Sequence, residues 1–209
     1  MTTPRSIGLA AADDAEELAR AELYGVLAAL FYAPPTAQLH AQFQVAVTEA
    51  PAAGGFLERG WGELVAAARR LSRDAIAREH DRLFQGVGKP EIFLYGSFYI
   101  AGRLNEKPLV ALRHTLRELG IAKNEDVSET EDHIASLCEV MRYLIAGDDV
   151  AAANLATQRV FFDAHLRPWV GALCDTIEAH PEADFYAALA RLARDFFAVE
   201  QQAFDLLDS

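Results

Sequence analysis

The chain has 209 residues, of which 52% are hydrophobic and 24% are charged. This composition is that of an ordinary globular protein and excludes intrinsic disorder. Nineteen Lys and Arg residues against 31 Asp and Glu leave a net charge of −12, which argues against binding nucleic acid through its phosphates. We therefore expect one globular domain over residues 1–209, with residues 1–12 flexible and with no nucleic-acid partner.

The sequence contains no apolar run long enough to span a membrane, and residues 1–14 lack the apolar core of a secretory signal. Cys138 and Cys174 lie in apolar, periodic segments without a second metal ligand at short spacing. We expect a cytoplasmic protein that does not insert into membranes, with both cysteines reduced and packed in its core.

Hydrophobic residues recur at helical spacing along most of the chain, and no segment shows the alternation of a strand. The first helix is predicted to begin near Asp13 and to end before Pro34. Thr36 precedes a second helix, a third carries Trp61, and Ser72 can cap a fourth.

The helical pattern breaks for about twenty residues after Gly86, an unusual length for a structured segment without periodicity. It resumes at Pro108. A later helix is predicted to start at Asp148 and to be kinked or divided by Pro168, and the last to begin at Pro181. The sequence therefore predicts an all-α fold, a single compact bundle of about eight to ten helices.

Ser128 and Glu131 form a Ser-x-x-Glu capping box, which predicts that a helix starts there. Asp132 and His133 then fall in its first turn and a half, where the helix dipole favours a carboxylate and disfavours a charged imidazole. Such a helix end can hold a peptide or a small anion. The alternative is that Asp132 only complements the helix end, while His133 packs at the edge of the apolar stripe.

Five aromatic residues surround the break in the helical pattern, and Gly96 among them allows a close backbone approach. Large amphipathic rings dominate many peptide-binding sites, so the segment is a candidate peptide groove. The rings can equally plug the bundle as core side chains. The five are Phe84, Phe93, Tyr95, Phe98 and Tyr99.

One enzymatic pattern competes with these interpretations. His40 and the adjacent His80 and Asp81 could, with a later Asp, supply the ligands of an all-α metal phosphohydrolase of the His-Asp domain class. However, adjacent helical residues point about 100° apart, and His80 fits the flank of an amphipathic helix. We keep this phosphohydrolase as the alternative function.

Four segments, taken together, resemble the TorD/DmsD/NarJ family of cytoplasmic chaperones for molybdenum redox enzymes. They follow the family's order, and the resemblance spans residues 15–200. The sequence departs from the family pattern at Thr130 and Leu94, where proline is common, and at Leu137, where Glu is common. The four segments are Glu79–Phe84, Tyr95–Tyr99, Glu131–Ala135 with Glu139 and Met141, and Phe161–Trp169.

The resemblance implies a non-enzymatic chaperone that binds an apo molybdopterin oxidoreductase subunit, its twin-arginine signal peptide, or both. It would assist cofactor insertion and hold back export until folding is complete, as a monomer or a homodimer. The net charge of −12 suits paired arginines, and an aromatic groove suits an apolar run. A bundle that only scaffolds an assembly is a third interpretation.

We therefore expect no catalytic residue and no metal, and we assign no cofactor, while direct binding of a pterin cofactor or GTP stays an open alternative. The predicted client-binding residues combine the aromatic segment with the acidic motif. They are Phe84, Tyr95, Gly96, Ser97, Phe98, Tyr99, Glu131, Asp132 and His133.

Overall fold

Amphipathic helices build the protein, as the hydrophobic periodicity predicts. The computed structural model describes residues 10–48, 57–86, 89–124, 126–147 and 153–207. These ranges contain ten α-helices and no β-strand, and none of their helices is long and apolar enough to cross a membrane. The prediction of an all-α fold is confirmed.

The ten helices follow one another through loops, and a π-helical segment, Asp81–Gln85, continues α4. The helices are α1 (Ala10–Tyr32), α2 (Ala37–Val45), α3 (Glu58–Arg70), α4 (Arg73–His80), α5 (Gly96–Ala101), α6 (Lys107–Glu118), α7 (Ile134–Ala146), α8 (Leu155–His165), α9 (Val170–Glu178) and α10 (Phe185–Leu206).

Local sequence signals set several helix ends. The hydroxyl groups of Thr36 and Ser72 accept hydrogen bonds from the backbone N–H groups of Leu39 and Ala75, at 3.1 and 3.2 Å. Each satisfies a donor that the first turn of its helix leaves without an internal partner. α1 ends ahead of Pro34, whose ring cannot continue a helix. These boundaries agree with the sequence predictions.

The core lies between α7 and α10 and the helices that cover them. α7 packs along α1, and α10 packs against α3 and α9. Each fully buried large apolar side chain contributes about 1.5–3 kcal/mol to the free energy of unfolding. Cys138 and Cys174 are free thiols in this core, as predicted, and burial raises the pKa of both.

The structure corrects two predictions in the middle of the chain. Residues 96–101, inside the break in the helical pattern, form α5, which is too short to display a hydrophobic period. The capping box is also wrong, because α7 begins at Ile134 with His133 as its N-cap. The hydroxyl of Ser128 donates to Glu129, at 3.3 Å, instead of capping a helix.

Three further predictions concern where the first helix, α8 and α10 begin. α10 begins at Phe185 rather than at Pro181. The predicted helix start at Asp148 lies outside the described residues, and α8 begins at Leu155 with Asn154 as its N-cap. Of residues 1–12, expected to be flexible, residues 1–9 also lie outside the described ranges, and the rest belong to α1.

A buried ion pair joins α1 to α10. The guanidinium of Arg20 donates to both carboxylate oxygens of Glu200, at 2.7 and 2.8 Å, and the hydroxyl of Tyr24 donates to the same carboxylate at 3.0 Å. Arg20 also donates to the side chain of Gln158 on α8, at 3.2 Å. Glu200 is 1% exposed, so these hydrogen bonds must offset the cost of removing its charge from water.

We expect Glu200→Ala to lower the free energy of unfolding by about 3–5 kcal/mol, because it leaves a buried guanidinium without its anion. Urea denaturation measures this loss. Arg59→Ala is the matched control, since it breaks a pair with Glu63 in which the Arg59 side chain is 86% exposed. Equal losses for the two variants would contradict a special role of the buried pair.

Candidate functional site

Two segments that are far apart in the sequence meet at the start of α5. An isolated antiparallel β-bridge pairs Tyr95 with His133, and backbone hydrogen bonds of 2.8 and 2.9 Å flank it. We call residues 94–97 and 130–134 the junction. It joins the aromatic segment to the acidic motif, the two regions that the sequence singled out.

The carboxylate of Asp132 holds the junction together. One oxygen accepts from the backbone N–H of Ser97 at 2.9 Å, and the other accepts from the hydroxyl of Thr130 at 2.6 Å. Asp132 is 4% exposed, and Ser97 is fully buried. Tyr95, the N-cap residue of α5, provides no side-chain cap, so Asp132 supplies it from a distant segment. Asp132 therefore complements α5, not the helix that follows it in the sequence.

His133 caps α7 and lies between two tyrosines. Its Nδ1 accepts from the backbone N–H of Ala135 at 3.2 Å, and its ring centre is 5.1 Å from that of Tyr95 and 6.4 Å from that of Tyr32. Burial lowers the pKa of His133 to about 4. The imidazole is therefore neutral at pH 7, as a hydrogen-bond acceptor at this position must be.

Among residues 94–97 of the junction, Tyr95 is the one that is partly exposed. Its hydroxyl donates to the carboxylate of Glu129, and burial together with this carboxylate raises the pKa of Tyr95. Glu129 was not among the predicted client-binding residues. The signal was available, because Glu129 lies two residues before the segment Glu131–Ala135 that resembles the family.

The aromatic segment is anchored on the indole of Trp169. A Cβ atom on Gly96 would lie 3.0 Å from the indole nitrogen, so a larger residue at this position would crowd the indole. The ring of Tyr99 stacks on the indole with centres 5.5 Å apart. Phe98 pairs with Phe93 at 4.3 Å, and both rings are half-buried. Tyr99 thus fixes α5, while Phe93 and Phe98 form an aromatic surface beside the junction.

Phe84 has different surroundings from the other predicted residues. Its ring packs between His80 and Tyr186, with centres 5.3 and 4.9 Å away, and it is 8% exposed. This position favours the alternative in which the ring fills the bundle. The remaining predicted residues lie at the junction or on α5.

The ligand set of the phosphohydrolase alternative does not assemble. His40 lies with its Nε2 3.1 Å from the carbonyl oxygen of Leu71. His80 is buried, whereas the Asp81 side chain beside it is 74% exposed. Across the described ranges, no three His, Cys, Asp or Glu side chains are grouped so that they could hold a metal ion.

A groove of about 610 Å³ opens beside the junction. It runs between α1 and α7 and is closed by residues 121–124 and 127. Its volume is comparable to that of small-ligand clefts. Tyr32 lines it and also faces His133, so the groove adjoins the junction. Of the predicted client-binding residues, Glu131 lines this groove. Its apolar lining includes Ala28, Leu116, Ile121, Val127, Ala135, Val140 and Tyr143.

Comparison with known proteins identifies the family. Residues 54–175 match the family described as nitrate reductase delta subunit. The chain belongs to this family. The resemblance to the TorD/DmsD/NarJ proteins, inferred from four short segments, is thereby confirmed.

Relatives with assigned names are similar over most of the chain. Two proteins named chaperone protein TorD, from two strains of Vibrio cholerae serotype O1, are 28% and 29% identical over 204 residues. These alignments cover 90% of this chain and 93% of each relative. A chaperone protein TorD from Photobacterium profundum is 28% identical over 125 residues, which is 56% of this chain and 58% of that protein.

Asp132→Ala is expected to lower the free energy of unfolding by about 1–3 kcal/mol, because it leaves the buried N–H of Ser97 without an acceptor. Hydrogen exchange should show faster exchange at the Ser97 amide. Asp132→Asn, which keeps one carbonyl oxygen, is expected to lose less. If the alanine variant were as stable as the parent, with unchanged exchange at Ser97, the junction would not depend on this carboxylate.

The neutral His133 makes stability depend on pH. Its pKa is about 4 in the folded protein and near 6.5 in an unfolded chain, so between these values the unfolded state binds more protons. The free energy of unfolding should therefore fall as the pH drops from 6.5 toward 4, by up to about 1.4 kcal/mol per pH unit from this residue.

Urea denaturation at pH 7, 6 and 5 tests this expectation with His133→Asn, which retains an N-cap acceptor but cannot titrate. The variant should show a shallower dependence on pH than the parent. His80 and His165, whose pKa values burial also lowers, contribute the same slope to both proteins. Identical slopes would show that His133 is not held neutral by burial.

Proposed function

We propose that the protein is a maturation chaperone for a molybdenum redox enzyme. It binds an apo molybdopterin oxidoreductase subunit, its twin-arginine signal peptide, or both, in the cytoplasm. It thereby assists cofactor insertion and delays export until the client has folded. The observation that carries this proposal is the alignment with chaperones named TorD, which covers 90% of this chain and 93% of those relatives.

The geometry supports binding of a segment that combines positive charge with an apolar run. The groove offers an apolar lining, and the half-buried rings of Phe93 and Phe98 extend the apolar surface beyond the junction. Large rings of this kind supply much of the binding energy in peptide complexes. The net charge of −12 attracts a basic segment over longer distances.

Apart from Phe84, which packs inside the bundle, the predicted client-binding residues have two roles in this proposal. Tyr95, Phe98 and Glu131 retain accessible surface and contact the client. The other members at the junction and on α5 position them and do not touch the client themselves. The positioning members are Gly96, Ser97, Tyr99, Asp132 and His133.

A titration with a twin-arginine signal peptide tests the proposal. The peptide should bind at low salt, and its affinity should fall in part when the Debye length shrinks from about 10 Å at 0.1 M to about 3 Å at 1 M. A peptide with both arginines changed to glutamine should bind more weakly at low salt and show little salt dependence. Equal binding of the two peptides at low salt would contradict recognition of the arginines.

The binding that survives at high salt should depend on the aromatic surface. High salt screens charges but leaves apolar burial intact. Tyr95→Ala and Phe98→Ala are therefore expected to weaken the binding that remains at high salt. Val45→Ala is the control, because Val45 is 81% exposed on α2, which packs on α3. If this control weakened binding as much as the aromatic variants, the aromatic surface would not be the contact.

A further inference from the structure

Four charged side chains line the groove, and their counter-charges differ in origin. Glu139 and Arg142 form an ion pair along α7 at 2.8 Å. Lys123 donates to a backbone carbonyl oxygen at 3.0 Å. The fourth is Glu131, and its cation, Arg113, belongs to α6 and is not part of the groove lining. Glu131 is thus the groove carboxylate whose hydrogen-bonded cation, Arg113, lies outside the groove lining, while Lys123 inside the lining acts on it only through its charge.

The geometry of the contact between Arg113 and Glu131 allows another cation to replace Arg113. The Nε and Nη2 groups of Arg113 lie 3.0 and 2.8 Å from the same oxygen, Oε2 of Glu131, so the carboxylate is not held in a two-oxygen fork. The Arg113 side chain is 49% exposed, and that of Glu131 is 17% exposed. An arginine already half in water loses little when it leaves such a pair.

Glu131 is an anion while it is paired with Arg113. The hydrogen bond from Arg113 holds the pKa of Glu131 below its ordinary value. If Arg113 moved into solvent, the groove wall would present a partly buried carboxylate without a hydrogen-bonded cation, and Lys123 would be the positive charge that still acts on it. A guanidinium arriving with a client is the group best suited to replace the one that leaves, because it offers the same charge and the same planar donors.

We propose that Arg113 is an internal competitor for the client's arginine at Glu131. This inference rests on the proposed function and adds a determinant of its specificity. A segment with arginine displaces Arg113 and gains the carboxylate while its apolar run enters the groove. A segment without arginine leaves the pair closed and binds through apolar contacts alone. Arg113 thereby sets how strongly the protein distinguishes the two.

The test compares the arginine and glutamine signal peptides on the full chain carrying Arg113→Ala. Removing the competitor should tighten binding of the arginine peptide about two- to fivefold, the range expected for a surface ion pair. Binding of the glutamine peptide should stay unchanged. Isothermal calorimetry at 0.1 M salt measures both, and thermal unfolding confirms that the variant is folded.

Arg117→Ala is the matched control, because Arg117 lies one turn further along α6 and donates to the backbone carbonyl of Arg113 at 3.1 Å. It removes the same charge without freeing Glu131. The gain from Arg113→Ala should exceed the gain from this control, and Glu131→Gln added to Arg113→Ala should abolish it.

Two outcomes overturn the inference in distinguishable ways. Equal gains from the Arg113 and Arg117 variants, or a gain that persists with Glu131→Gln, would overturn the competition while leaving signal-peptide binding in place. Failure of the parent protein to bind either peptide would overturn both the competition and the proposed function.

Discussion

The position of the site depends on one buried carboxylate. Asp132 accepts a backbone hydrogen bond from Ser97 and a hydroxyl hydrogen bond from Thr130, and in doing so it fixes the start of α5 against the segment that leads into α7. A buried carboxylate is costly unless every oxygen is used, and here both oxygens are. Separating the aromatic surface on α5 from the groove beside α7 would break the hydrogen bond from Ser97 to Asp132. The two therefore keep their relative placement.

The polar residues of the motif therefore act mainly beneath the surface that a client would meet. His133 must stay neutral to accept from Ala135, and its burial between two tyrosines keeps it so. Thr130 stands where the related proteins often have proline, a residue that stiffens the backbone. Its hydroxyl provides a different restraint, since it holds Asp132 at 2.6 Å. Thr130 therefore makes a side-chain hydrogen bond that proline could not make at this position.

Much of the fold could be predicted from the sequence because long amphipathic helices show a hydrophobic period and cap residues. Thr36 and Ser72 are two such caps. α5 could not, since six residues do not establish a period. The capping box at Ser128 failed because His133, a less common cap, starts α7 instead. The motifs located the junction. The groove forms where α1 and α7 pack together, and a local sequence pattern does not predict which helices pack together.

Net charge and local charge have separate consequences in this protein. The value of −12 belongs to the whole chain, and its attraction for a basic segment acts before contact is made. Inside the groove the balance differs, because Lys123 and Arg142 offset Glu131 and Glu139, and Arg113 pairs with Glu131 from outside the lining. A groove with paired charges gives little net field at short range. Under the proposed function, discrimination between segments would come from exchange of the Arg113 partner and from apolar burial, and long-range attraction alone would not decide which segment stays bound.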